Sequence, residues 1–223
     1  MTLRHEITRF ALSLSAFHIG TKTFKTLDPQ HRSIVVIDMA DSGRRNDRAQ
    51  LHIRASLDRV VRTAFHASKI PWHRLETADR GDGMIVFVPA AVSKAVLLNP
   101  FIPQLNARLH DHNLRATPGH QIRVRVAVHA GEVLPGPHGW VGTDLNLACR
   151  LVDSAPLYEA LTRHPHTGLA LAVSDVIHQG VVRHGHRGID PTSYQPVHVA
   201  VKEVDACAWI HTLARHAPIT ETG

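Results

Sequence analysis

The sequence is poor in cysteine, in aromatic rings and in long apolar runs. Its two cysteines, Cys149 and Cys207, form no Cys-x-x-Cys pair. They suit a reducing cytoplasm better than a disulfide framework. Aromatic residues make up 5% of the chain, too few to build a base-stacking surface, so the net charge of +6 does not by itself imply a nucleic-acid-binding module. That charge is mostly arginine scattered along the chain, and no run of like charges forms a tail. No apolar stretch approaches the roughly 18–20 residues that span a bilayer. FALSLSAF at 10–17 follows a basic start but is short for a signal peptide, and no small-residue cleavage pattern follows it. A soluble, cytoplasmic protein with no membrane partner is expected.

What is present is ordinary for a globular domain: 43% hydrophobic and 20% charged residues in a chain of 223, enough for one generous core and short for two. Residues 1–30 show no sustained period and read as an N-terminal extension. Residues 31–213 read as one domain and 214–223 as a tail. The positive balance fits a polyanionic partner such as a nucleoside triphosphate. Nineteen histidines include HDH at 110–112, HPH at 164–166 and HGH at 184–186. Alternate residues aim two rings the same way only on an extended strand. These pairs lie in polar segments and read as solvated connectors rather than metal ligands.

SIVVIDM at 33–39 is a β-branched run of the kind that forms a buried central strand. The turn residues DSGRRND follow it. Apolar positions then recur at helical spacing from 48 to 67, which predicts an amphipathic helix. Residues 70–77 and 84–89 read as two strands joined by the turn DRGDG. A second helical region covers 90–112, with interruptions at Asn99-Pro100 and Ile102-Pro103. IRVRVAVHAGEV at 122–133 alternates Arg123 and Arg125 with Val124, Val126 and Val128, the pattern of a half-buried strand with its arginines outward. The Gly- and Pro-rich LPGPHGWVG connects it to TDLNLACRL. LALAVS at 169–174 reads as a strand, followed by a short helix capped by Ser174. The segment 196–211 reads as two strands joined near Lys202. The order β-α-β-β-α-β plus a further helix and strands predicts an α+β fold: a mixed sheet, ferredoxin-like at its centre, with helices on one face.

Two aspartates stand out by position. Asp38 ends the first buried strand, and Asp82 lies in the turn before the third. In a β-α-β-β unit those two strands are neighbours, so the carboxylates can meet at one sheet edge and offer oxygen ligands to Mg²⁺ or Mn²⁺. Taken alone, Asp82 is an ordinary Asp-Gly turn residue. In TDLNLACRL, Thr143 or Asp144 can cap a helix whose Leu145, Ala148, Leu151 and Val152 face the core. Asn146, Arg150 and Asp153 then share another face. Alone this is a wet helix face; beside two metal-binding aspartates it offers donors to phosphate and ribose.

Together, IVVID at Asp38, RGDGMIVF around Asp82, VRVAVHAGEV at 124–133 and GWVGTDLNLACRL at 139–151 resemble the catalytic domain of class III nucleotide cyclases. VHVAVKEVDACAWI is similar to the family's closing strands, with Lys202 before the hairpin. The resemblance implies that Asp38 and Asp82 hold two divalent metals, Mg²⁺ or Mn²⁺, against a triphosphate. It implies that Asn146 positions the ribose and that Arg150 stabilises charge on the reacting phosphorus. It further implies a site shared between two catalytic domains, hence a homodimer. The product would be a 3′,5′-cyclic nucleotide and pyrophosphate.

The chain departs from the family in its phosphate loop, where Met39, Ala40, Asp41, Ser42 and Gly43 follow the first aspartate and add a carboxylate. Ala78 and Gly139 stand where the resemblance implies base-reading side chains, so neither adenine nor guanine selection carries over and a pyrimidine triphosphate is open. Two functions therefore fit the residues: an active cyclase, or a silent cyclase-fold protein that binds a nucleotide or a regulatory partner.

Overall fold

The computed structural model describes residues 28–213. Most of the expected N-terminal extension, FALSLSAF within it and the expected C-terminal tail lie outside the described residues. Strand β1 (Gln30–Met39) forms where the sequence is most β-branched, and Ile34, Val35, Val36 and Ile37 are fully buried, covered from both sides. Helix α1 (Asp47–Ala67) starts at Asn46, whose side chain accepts the Ala49 N–H at 2.9 Å, an N-cap that satisfies an otherwise orphan donor. Its Ile53, Leu57, Val61 and Phe65 stripe is buried against the sheet, each side chain contributing about 1.5–3 kcal/mol of hydrophobic stabilisation.

Strand β2 (Glu76–Asp79) and β3 (Gly83–Pro89) form the expected hairpin. β2 is shorter than its apolar pattern implied. Trp72–Arg74 forms a 3-10 turn because Lys69 takes φ 60 and Ile70 and Leu75 are the buried anchors on either side. A short helix α2 (Lys94–Val96) leads to a kink at Asn99, as read from Asn99-Pro100. The second expected interruption is absent. Pro103 lies in the first turn of α3 (Ile102–Arg115), where a missing N–H is harmless, and HDH therefore lies on a helix rather than in a connector.

Strand β4 (Val124–Gly136) runs beside β1 and turns back through β5 (Gly139–Val141), so LPGPHGWVG is a hairpin arm rather than a plain connector. Helices α4 (Thr143–Val152) and α5 (Ala155–Arg163) follow; α5 has no counterpart in the sequence reading. Strand β6 (Leu169–Ser174), helix α6 (Asp175–Gly180) and the hairpin β7 (Gln195–Val201) and β8 (Val204–Leu213) complete the chain.

The strand order is β2-β3-β1-β4-β6-β8-β7, with β5 paired to β4. The first four strands have the ferredoxin-like arrangement, and β6 extends it in parallel to β4. The expected single helical layer is corrected. α1, α3 and α6 cover one face, where Val35 and Ile37 point. α4 and α5 cover the other, packing Ala148, Leu151, Leu157 and Leu161 on Ile34, Val36 and Ala127. β4 is therefore buried on both sides rather than half-buried, and its arginines do not face open solvent. Among the described residues no helix is long and apolar enough to cross a membrane.

Candidate active site

Asp38 lies opposite Gly83 across the β1–β3 ladder, and the Met39 N–H donates to the Asp82 carbonyl at 3.2 Å. The two aspartates expected to meet are thus brought to one end of adjacent strands. The close approach depends on Gly83, since a Cβ there would lie 2.1 Å from the Ile37 carbonyl oxygen. Asp38 is 6% exposed. Burial pushes its carboxyl above the ordinary range and Asp82 adds repulsion, while Arg125 and Arg80 oppose the shift. Ser42 donates its hydroxyl to Asp82 Oδ2 at 2.5 Å. Asp38, Asp82 and Ser42 present an all-oxygen donor set, and Oδ1 of each carboxylate takes no part in these bonds. That chemistry fits Mg²⁺ or Mn²⁺, which keep several ligand positions for water and phosphate. Among the described residues no cluster of three or more His, Cys, Asp or Glu side chains is arranged to hold a metal, so remaining ligands must come from outside this carboxylate pair.

The loop after Asp38 is partly engaged within the fold. Met39 and Ala40 are buried and their amides are taken, by the Asp82 carbonyl and by the Arg123 carbonyl at 2.9 Å. Asp41 takes φ 58, is exposed, and precedes a 3-10 turn at Ser42–Arg44. Asp41 and Gly43 are the exposed residues of this loop, while Ser42 is buried with its hydroxyl on Asp82.

The expected outward arginines of β4 are the residues sequence reasoning missed. Arg125 faces Asp38 across the β1–β4 ladder; its Nε lies 3.2 Å from Asp38 Oδ2 and its Nη2 bonds the same oxygen. Arg123 donates to the Thr167, Leu161 and His164 carbonyls and ties α5 to the sheet. Pairing β1 with β4 in register would have exposed the Arg125–Asp38 contact; alternation alone did not. Arg80, in the RGDG turn, bonds both carboxylate oxygens of Asp153 at 2.7 Å. Asp153 is therefore a clamp between the β2–β3 turn and α4, not a free group beside Arg150.

Helix α4 is held at its start by a relay through the buried His129 and Ser174. Asp144 does not cap the helix, which begins at Gly142 without a side-chain cap. Instead Asp144 Oδ2 accepts the Glu132 N–H at 2.6 Å, and Oδ1 lies 3.1 Å from His129 Nε2. His129 Nδ1 is 2.8 Å from the Ser174 hydroxyl, so Ser174 serves this ring rather than capping α6. Gly131 is required here, because a Cβ would fall 2.0 Å from Asp144 Oδ2. Both ring nitrogens are satisfied when Nε2–H donates to the carboxylate and Nδ1 accepts from the serine.

Further along α4, Asn146 is exposed and its side chain makes no hydrogen bond among the described residues, while its backbone N–H donates to the Gly142 carbonyl. Arg150 is half-buried, with Nη2 3.1 Å from Glu203 and a buried Nε that has no partner among the described residues. No hydrogen bond or ion pair joins Asn146 or Arg150 to Asp38 or Asp82 among the described residues. Of the three other candidates, one lies near Asp82 and two lie elsewhere. Ala78 packs on the α4 side of the sheet opposite Ile85 and also lines a cavity together with Met39 and Asp82. Gly139 sits exposed at the base of the β4–β5 turn with φ 119. Lys202 is in the β7–β8 turn next to Glu203. A cavity of about 180 Å³ adjoins Asp82 but not Asp38, with Met39, Leu57, Trp72 and Met84 among its walls; it opens on the α1 side, away from the Asp38–Arg125 pair.

Burial lowers the pKa of His129 against the opposing pull of Asp144, and burial likewise lowers His178 and His211. A histidine whose folded pKa is depressed binds fewer protons in the fold than in the unfolded chain. Its contribution is fully present above the ordinary imidazole range and is lost as pH falls through the folded pKa. The melting temperature is expected to fall between pH 7.5 and 5.5. His129→Gln, which cannot titrate, should flatten that dependence even if it lowers the melting temperature; an unchanged slope would contradict the assignment.

No protein-family model and no curated protein matches the sequence. Solved structures do. An adenylate/guanylate cyclase/hydrolase from Silicibacter pomeroyi superposes with a TM-score of 0.60 at 17% identity, over 82% of this chain and 97% of that one. The guanylate cyclase domain from Catenaria anguillulae in complex with GTP gives 0.54 at 13%, over 84% and 98%. The adenylyl cyclase CyaB from P. aeruginosa gives 0.53 at 12%, over 86% and 98%. The sheet order, the two helical layers and these superpositions agree: the chain has the fold of class III adenylate and guanylate cyclase catalytic domains.

Proposed function

We propose that the protein is a nucleotide cyclase whose site is completed by a second copy of the chain. The observation that carries this reading is the meeting of Asp38 and Asp82 at one strand edge while Asn146 and the unsatisfied Arg150 Nε stay apart from them on α4. Asp38, Asp82 and the Ser42 hydroxyl of one protomer would hold Mg²⁺ or Mn²⁺. Bound there, the metal supplies Lewis-acid polarisation of the α-phosphate and lowers the pKa of the ribose 3′-hydroxyl.

The chain's own groups do the rest. Asn146 of the other protomer holds the ribose by its amide, aiming the 3′-oxygen at the α-phosphorus. As that oxygen loses its proton to solvent and bonds to phosphorus, the bond to pyrophosphate breaks, and Arg150 donates to the oxygens that gain charge. The clamp between Arg80 and Asp153 and the relay through His129 and Asp144 fix both ends of α4, so Asn146 and Arg150 approach from a rigid helix. A pair related by two-fold symmetry forms two such sites. The second reading, a silent cyclase-fold binding protein, is favoured by the exposed Asp41 carboxylate where phosphate would lie; binding of a triphosphate without turnover identifies it.

Mixing two inactive variants tests the shared site. Asp38→Asn and Arg150→Ala proteins, each nearly inactive alone, should recover up to about a quarter of the parent activity when combined in equal amounts, because half of the pairs are mixed and each mixed pair holds one intact site of two. No recovery, with co-purification of one variant by an affinity tag on the other showing that the chains exchange, would contradict a site shared between copies.

A further inference from the structure

Away from the carboxylate pair, a cavity of about 270 Å³ opens between the start of α3, the loop that precedes β7 and the end of β8. Leu98, Ile102, Ile189 and Leu213 give it apolar walls that belong to the core on the α1 face. One side is pinned by a reciprocal pair of hydrogen bonds. The Asn99 amide donates to the Arg187 carbonyl at 2.8 Å, and Arg187 Nε donates to the Asn99 carbonyl at 2.7 Å. A cavity of about 150 Å³ suffices for benzene, so this one has room for a single ring with a short chain.

Two polar side chains line the same space, Tyr194 and His211, their rings stacked with centroids 5.0 Å apart. Tyr194 is 7% exposed, yet its hydroxyl has no hydrogen-bond partner among the described residues. A buried tyrosine hydroxyl usually finds one. Burial pushes its pKa up to about 12, so it stays a donor at neutral pH. His211 Nδ1 lies 3.1 Å from the Ser193 carbonyl oxygen. A carbonyl only accepts, so Nδ1 carries the proton and the neutral ring presents Nε2 as an acceptor. Burial holds His211 below the ordinary imidazole range against the pull of that carbonyl and of Asp190. Nε2 also has no partner among the described residues. Asp190, at the rim, is spent on the Thr192 N–H at 2.9 Å and the Thr192 hydroxyl at 2.8 Å. The cavity therefore offers one donor and one acceptor beside an apolar wall, and a hydroxyl is the smallest group that satisfies both.

We propose that this cavity is a binding site for a small uncharged molecule with an apolar body of about one ring and a single hydroxyl, whose oxygen accepts from Tyr194 and donates to His211. The ligand's ring or chain lies on Leu98, Ile102, Ile189 and Leu213, and its polar end meets the stacked pair. The site is built on the face that carries α1 and α3, whereas Asn146 and Arg150 ride on α4 on the other. It needs neither the aspartates nor α4, so failure of the cyclase reading leaves it untouched.

The probe is 4-propylphenol, titrated into the full-length protein at neutral pH and followed by calorimetry and by ¹³C-methyl resonances of isoleucine and leucine. It should bind saturably with a Kd below about 1 mM, and the Ile189 and Leu213 methyl signals should move with the same Kd. Propylbenzene, which lacks the hydroxyl, should bind at least about fivefold weaker, since both polar groups then stay unpaired. 4-Propylanisole accepts but cannot donate, and should be similarly weakened by the loss of the bond to His211. Tyr194→Phe keeps the ring and the stack. It should weaken 4-propylphenol about five- to tenfold and leave propylbenzene within about twofold of the parent. No saturable binding below about 1 mM overturns the site, as do methyl shifts confined to other residues. Equal or tighter binding of propylbenzene overturns the assignment of Tyr194 and His211. If Tyr194→Phe does not fold, the three compounds on the parent chain decide by themselves.

Discussion

Purified Asp38→Asn protein is expected to form no cyclic nucleotide above background, a loss of at least about 10³-fold from removal of several kcal/mol of metal-borne charge stabilisation. It should melt no lower than the parent. Burial, reinforced by Asp82, holds the Asp38 carboxyl above its ordinary range even with Arg125 beside it. A carboxyl whose pKa rises on folding contributes stability below the unfolded pKa and loses it as pH rises through the folded one, so at neutral pH its charge works against the fold. Asparagine keeps the shape and leaves an oxygen to accept from Arg125. Mass-spectrometric product analysis and a thermal melt at pH 7.5 check both halves. Retained product would remove Asp38 from the metal site, and a collapse in melting temperature would make the residue structural.

Arg150→Ala should lower turnover by about 10²–10³-fold, the usual effect of removing one preorganised donor from a developing negative charge. Arg150→Lys should recover little of it. A point charge on a flexible stem cannot replace a planar fork of donors, and Arg150 is already oriented by Glu203, 3.1 Å from its Nη2. The loss should fall on kcat more than on KM, because the charge that Arg150 meets develops only as the phosphorus gains its fifth oxygen. A variant with unchanged kcat would remove Arg150 from the reaction.

The strands were legible where side-chain chemistry was repetitive. β1, β6 and the β7–β8 hairpin follow from β-branched runs and their turns, and once β1 and β3 are neighbours the meeting of Asp38 with Asp82 follows from topology. What the sequence hid was long-range. The alternation of Arg123 and Arg125 with valines looks the same whether the arginines face water or a second helical layer, and only α4 and α5 packing on that face decides it. α5 was missed because Ser154-Ala-Pro reads equally as a loop, although a proline in the first turn also starts helices. Asp144 was misread for a similar reason. A carboxylate at a helix start is normally a cap, but here the missing side chain of Gly131 lets it reach Glu132 and His129 instead. The base-reading positions stayed blank in both readings, since Ala78 and Gly139 carry no polar side chain.

The central claim is that this fold still cyclises a nucleotide. Incubation of the purified chain with each of ATP, GTP, CTP and UTP and Mn²⁺, read by mass spectrometry, tests it most directly. The account predicts a 3′,5′-cyclic nucleotide and an equal amount of pyrophosphate from at least one of the four, absent with Asp38→Asn. No cyclic product from any of them, at a Mn²⁺ concentration that saturates the protein, would contradict it.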